Sequence, residues 1–245
     1  MNNSKKTILL LHGAWEGAWA WGDTQPLLEA KGHKVHSFDL PGHGEDKTPI
    51  SEITLQVYAD AVRKEIDKIG EPVVLVGHSF AGYIIARAAE NNSENIEKVV
   101  FVASAVPYDG KTAAQIFEED EGSELMKSLI ISEDKSYATI SRENVRDVIV
   151  TTATEDQIDM IMPLLVPQAV NPFYEPVVTG ENFAKVPKAY IETKKDRVIS
   201  LKAQRLVQKE AGISEALTLD DGHVPLLTQP NELAEALAKV AVSSN

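Results

Sequence analysis

The sequence predicts an α/β fold: a doubly wound, mostly parallel sheet of about six strands with a helical lid over the strand ends. Two observations carry that expectation. Short, continuous runs of aliphatic and β-branched residues alternate with amphipathic stretches, as expected when helices cover both faces of a sheet. The alternation then breaks between Pro107 and about Gly180, where three helix-like pieces follow one another without a strand pattern.

The expected strands are Thr7–Leu11, Lys34–Phe38, Val73–Val76, Lys98–Ala103, Ala189–Glu192 and Ala216–Leu219. Among the helices, Thr54–Ile69 is the clearest. Leu55, Tyr58, Val62, Ile66 and Ile69 fall on one face, Thr54 suits an N-cap, and Gly70 with Pro72 supplies the stop. Ser79–Asn91, Leu201–Ala211 and Asn231–Val240 show the same period. Strands that alternate with helices imply right-handed crossovers. The interrupted stretch reads as helices at Thr112–Ile131, Ser141–Val150 and Thr154–Val166, with Pro163, Pro167, Pro172 and Pro176 punctuating its end. This divides the chain into a core, residues 1–107 and 181–245, and an inserted cap, residues 108–180. The plain alternative for the insertion is a peripheral helical layer.

Composition narrows the function classes. The 245 residues suffice for one well-buried core, and 43% apolar with 25% charged residues is an ordinary soluble composition. A net charge of -13 opposes the phosphate backbone, so nucleic acid is not an expected partner. No helix carries the clustered Lys and Arg of a membrane-surface segment, and no run approaches the roughly 18 apolar residues of a span. The start, Met1–Lys6 followed by Ile8–Leu11, is too short for a signal peptide and lacks a cleavage-type site. A cytoplasmic protein is expected, and a homodimer is left open. There is no cysteine, which excludes disulfides, thiolate zinc sites and a cysteine nucleophile. His33 and His36 face opposite ways on a strand, so no metal is expected, and no cofactor either.

The chemistry centres on Gly77-His78-Ser79-Phe80-Ala81-Gly82, directly after an apolar run. A strand that ends in Gly-x-Ser-x-small and runs into a helix holds up a nucleophilic serine on a strained turn, where larger flanking side chains would collide. Ala81, one methyl larger than glycine, makes the match a near one. Ser79 needs a base, and His223 in Asp220-Asp221-Gly222-His223 follows the last strand, at the same sheet edge. His78 is expected to pack. The base needs an acid to hold its tautomer: Asp196 follows the penultimate strand, with helix capping as its plain alternative and Asp220 and Asp221 as rivals. The chain order Ser79, Asp196, His223 suits this kind of fold. Negative charge developing on a substrate carbonyl would meet the amides of Ala14, in the loop after the first strand, and Phe80, with Gly13 as an alternative to Ala14. Trp15 and Trp19 are spaced to share a helical face. The lid offers Met126, Leu129, Ile130, Met160, Met162, Leu164, Leu165 and Phe173, a subset of which would wall a pocket.

With these landmarks in order, together with Asp39-Leu40-Pro41-Gly42-His43-Gly44, the chain resembles the α/β-hydrolase superfamily over essentially its full length. His12-Gly13-Ala14-Trp15-Glu16-Gly17-Ala18-Trp19 and Val106-Pro107-Tyr108-Asp109-Gly110 are similar to the branch of plant methyl-ester esterases, hydroxynitrile lyases and related bacterial esterases. The resemblance implies an α/β-hydrolase fold and a serine esterase acting on a small apolar or aromatic ester through an acyl-enzyme. Gly13, Trp15, Met160 and Val224 are its candidate substrate contacts. Lyases of that branch carry threonine where this chain has Gly13 and lysine where it has Val224. Val224 cannot supply the cation that departing cyanide needs, and Gly13 is expected to leave room beside the oxyanion site. The alternatives are a lyase and a small-molecule receptor that keeps the triad.

Overall fold

The computed structural model describes residues 5–243; of the Met1–Lys6 start, residues 1–4 lie outside the described ones. The chain runs β1 (Thr7–Leu11), α1 (Thr24–Ala30), β2 (Lys34–Ser37), α2 (Leu55–Ile69), β3 (Val73–His78), α3 (Ala81–Asn91) and β4 (Ile96–Val102). A cap follows, with α4 (Ala113–Glu119), α5 (Leu125–Ser128), β5 (Leu129–Ile131), β6 (Tyr137–Ile140), α6 (Arg142–Asn144), α7 (Glu155–Ile161) and β7 (Gln168–Ala169), and the core resumes with α8 (Glu181–Lys185). The chain returns through β8 (Lys188–Thr193), α9 (Leu201–Glu210), β9 (Glu215–Leu219), α10 (Pro225–Thr228) and α11 (Pro230–Val242).

Every expected strand forms, and they join in the order β2-β1-β3-β4-β8-β9 with all neighbours parallel. Alternation along each strand explains the layers. Leu9, Leu11, Val73 and Leu75 pack with α2 and α3 on one face, while Ile8, Leu10, Val74 and Val76 pack with α1 and α11 on the other. Helix α2 begins where Thr54 Oγ1 accepts from the Val57 amide and ends at Gly70, whose φ of 72° is the left-handed stop expected there. Its Leu55, Tyr58, Val62 and Ile66 are buried, each aliphatic side chain contributing roughly 1.5–3 kcal/mol. Because all strands run the same way, the loops after β1, β3, β8 and β9 converge on one sheet edge. Among the described residues no helix is long and apolar enough to cross a membrane.

The cap corrects the all-helical expectation. Its centre is a three-stranded antiparallel sheet in the order β5-β6-β7. The helix expected over Thr112–Ile131 splits into α4, capped reciprocally by Thr112 and Gln115, and α5, and its last three residues become β5. The turn to β6 is built by Asp134, whose Oδ1 accepts from the Ser136 amide and from the Ser132 and Ser136 hydroxyls, with Lys135 left-handed at φ 60°. Leu129-Ile130-Ile131 fits either period; this turn chemistry decides for a hairpin.

Polar ties seat the cap over the strand ends. Trp15 Nε1 donates to the Ala138 carbonyl at 2.9 Å, and the Val166 amide donates to the Trp15 carbonyl at 3.0 Å. On the other side His43 Nε2 meets Gln168 Oε1 at 2.9 Å, and Gln168 Nε2 donates to the Tyr58 hydroxyl at 3.1 Å.

Candidate active site

Ser79 follows β3 directly and sits at φ 55°, a left-handed conformation that costs a non-glycine residue strain. The surroundings over-determine it. Its amide donates to the Val102 carbonyl at 3.1 Å, and its own carbonyl accepts from Ser104 Oγ at 2.5 Å. A Cβ on Gly77 would lie 3.1 Å from the Ala81 backbone, which is the expected crowding of the elbow. The tighter position is Gly82, where a Cβ would come within 2.1 Å of the Ala105 carbonyl oxygen, while the methyl of Ala81 is accommodated and fully buried.

The three expected partners meet. His223 Nε2 lies 2.8 Å from Ser79 Oγ, and His223 Nδ1 lies 2.8 Å from Asp196 Oδ2. With a carboxylate on Nδ1, the ring proton belongs there, and the Nε2 lone pair is left to accept the serine proton. Asp196 is thoroughly held. Oδ1 accepts from the Val198 and Ile199 amides at 2.7 and 2.8 Å, and Oδ2 also accepts from Thr193 Oγ1 and Gln204 Nε2. It does not cap the following helix; Ser200 does, through the Ala203 amide. The rival Asp221 is buried and turned inward, accepting from the Gly222 amide and from the Thr152 and Thr228 hydroxyls, so it shapes the His223 loop.

In the loop after β1, the Gly13 amide donates to Glu16 Oε2 at 2.8 Å, which removes it from the choice of oxyanion donors. Among the described residues, the amides of Ala14 and Phe80 have no hydrogen-bond acceptor within the chain. His12 braces this loop, its Nδ1–H donating to the Gly13 carbonyl and its Nε2 accepting from the Leu40 amide. Burial, aided by nearby His43, pushes His12 down to about 4 and keeps it neutral.

Two residues have roles beyond the sequence reading. His78 is more than packing: Nδ1 faces Glu16 Oε2 at 3.2 Å and Nε2 faces the main-chain carbonyl of His223 at 2.8 Å. Glu16 had one signal in the sequence, a carboxylate three residues after a loop glycine in an otherwise uncharged stretch. Gly13 also needs correction. A Cβ there would lie 2.9 Å from His78 Nδ1 and 3.1 Å from Ser79 Cβ, so the expected room is already filled.

A cavity of about 190 Å³ lies beneath the cap, beside Ala14 and Val224. Trp15, Met160 and Val224 line it, with Trp19, Leu164, Leu165 and Leu226; Gly13, Ser79 and His223 do not. Met126, Leu129 and Phe173 instead wall a void of about 30 Å³ on the other side of Trp15. Trp15 and Trp19 share no helical face, because Trp15 is left-handed at φ 64° and a 3-10 turn starts only at Ala18. The cavity's charged neighbours are Glu16 and Asp23, and no Lys, Arg or His lines it among the described residues.

Known proteins share this architecture. Methylesterase 9 of Arabidopsis thaliana is 28% identical over 96% of this chain and 98% of its own length. A pyrethroid hydrolase of Sphingobium wenxiniae is 28% identical, covering 96% of this chain and 87% of its own. A crystal structure of a pyrethroid hydrolase superposes with a TM-score of 0.85 at 24% identity, over 97% of this chain and 98% of that one. The profile of the alpha/beta hydrolase family matches residues 8–236, and the chain belongs to that family.

Proposed function

We propose that this protein is a serine hydrolase that cleaves small, neutral, apolar or aromatic carboxylic esters through an acyl-enzyme. The observation that carries the reading is the continuous hydrogen-bonded line from Asp196 through His223 to Ser79, with both links at 2.8 Å. His223 takes the Ser79 proton as Oγ attacks the ester carbonyl, and Asp196 stabilises the imidazolium that forms. The oxyanion accepts from the amides of Ala14 and Phe80; losing one such donor costs about 3 kcal/mol of barrier in comparable sites. His223 then protonates the departing alcohol, and water, activated by the same imidazole, releases the acid and restores Ser79.

The cavity supports the substrate class. Its apolar walls suit a hydrocarbon or aromatic group, and with no Lys, Arg or His lining it among the described residues, an anionic group would find no counter-charge there. A cyanohydrin lyase would need a cation beside the leaving group, and Val224 occupies the position next to His223. The names of the relatives, methylesterases and a pyrethroid hydrolase, agree with an ester substrate. A panel of acyl and alcohol groups, assayed with Ser79→Ala as the blank, tests the reading. Multiple turnovers lost entirely in the variant are expected. Equal turnover by Ser79→Ala, or one covalent event without recycling, would overturn it, the second in favour of a receptor.

A further inference from the structure

The triad leaves unused a second buried histidine in direct contact with it. His78 is the residue before the nucleophile, and its ring lies 5.0 Å from that of His223. Both of its nitrogens face groups that only accept: the Glu16 carboxylate at 3.2 Å and the His223 main-chain carbonyl at 2.8 Å. A neutral imidazole has one N–H and would turn its other lone pair on one of them. Rotating the ring would forfeit both contacts. The same Glu16 oxygen also accepts from the Gly13 amide, so one chain of contacts runs from the oxyanion loop through Glu16 and His78 to the backbone of the base.

We propose that His78 stands as an imidazolium paired with the Glu16 carboxylate, and that this buried ion pair is the positioning element that locks the His223 loop and the Ala14 loop onto the Ser79 elbow. The role assigned to it rests on the esterase reading above. Both ring N–H groups of His78 then meet an acceptor, and the Glu16 oxygen facing it is held by the Gly13 amide as well, which is the kind of hydrogen bonding under which a buried charge pair is tolerated. The groups facing His78 come from three other loops: Glu16 from that after β1, Asp196 from that after β8 and His223 from that after β9. Burial is the largest single influence and opposes its charge, yet the Glu16 carboxylate, the His223 carbonyl and the Asp196 charge together raise His78 above its ordinary value, while Glu16 is held below its own, chiefly by His78. Because Glu16 also claims the Gly13 amide, the Ala14 amide is the first-loop donor left to face the substrate. Neither residue touches the reacting atoms; both act through the groups that do.

The test reads the ring directly. Two-bond ¹⁵N–¹H spectra of the wild-type protein at pH 8, with His78 assigned by substitution, should show both His78 nitrogens protonated, well above the ordinary histidine value of about 6.5. Glu16→Gln, nearly isosteric, should leave His78 singly protonated at that pH. It should lower kcat on the order of 10- to 100-fold with little change in KM, as expected when catalytic groups lose registration. Its melting temperature and full titration by a serine-directed phosphonate report that the fold and nucleophile remain. A singly protonated wild-type His78, or a Glu16→Gln kcat within about twofold of wild type, would overturn the proposal. If the variant does not fold, the wild-type spectrum still decides. Absence of ester turnover by the wild type would sink the esterase reading while leaving the His78 signature intact, so the two failures are distinguishable.

Discussion

The floor and the roof of the site are held in place by different forces. The floor is a set of strand ends, where Ser79 and His223, 144 residues apart, and His223 and Asp196, 27 apart, are joined by directional hydrogen bonds. The roof is a wall of apolar cap side chains, fastened by polar contacts at Trp15 and Gln168. Hydrogen bonds weaken steeply with displacement, whereas apolar walls tolerate volume-conserving change. Chemistry should therefore be brittle in the floor, and selectivity adjustable in the roof.

The largest expected effect lies in the floor. Asp196→Asn should lower kcat by about 10⁴-fold, or about 5.4 kcal/mol of barrier, because the amide favours the wrong His223 tautomer. Asp221→Asn should instead cost mainly thermal stability, since it braces a loop without touching the His223 ring. Steady-state kinetics of the pair decide the acid, and a reversed ranking would move that role to Asp221.

An intermediate effect concerns acid stability. His12 is neutral in the folded protein down to about 4, whereas in the unfolded chain it takes up its proton near 6.5. Between those values the unfolded state binds more protons. The stability linked to His12 is thus whole above pH 6.5 and is lost as pH falls toward 4, by roughly 3 kcal/mol. Urea melts at pH 7.5 and 4.5 should show that loss, and His12→Gln should flatten the difference. An unchanged slope in the variant would assign the acid sensitivity to other groups.

The smallest effect belongs to the roof. Trp15→Phe removes the donor to the buried Ala138 carbonyl and should cost about 1–2 kcal/mol of stability. It should alter KM across an ester panel more than kcat. A kcat loss as large as that of Asp196→Asn would show that floor and roof are one unit.

The same contrast governed how much could be read in advance. The inner core strands were legible because a strand covered on both faces is apolar at nearly every position, as Ile8–Leu11 and Val73–Val76 are, and the mixed edge strands β2 and β9 followed from the alternation with helices. The meeting of Ser79, Asp196 and His223 was legible because loops after parallel strands converge on one sheet edge, which left few places for such partners. The cap sheet was not: Leu129–Ile131 carries no distinguishing period, and Gln168–Ala169 is too short to have one. Nor was the importance of Gly82, because its crowding comes from Ser104 and Ala105 at the far end of β4.

By itself, then, the sequence determined the alternation of strands and helices, the strained turn at Ser79 and the order of its partners, because each follows from local pattern or from the direction of a parallel sheet. Only the tertiary structure decided that Gly13 is filled space, that its amide is spent on Glu16, and that His78 joins Glu16 to the backbone of His223. Those contacts link loops up to 145 residues apart, and burial sets the strength of the charges within them. No local pattern encodes them; they exist once the sheet has brought its strand ends together.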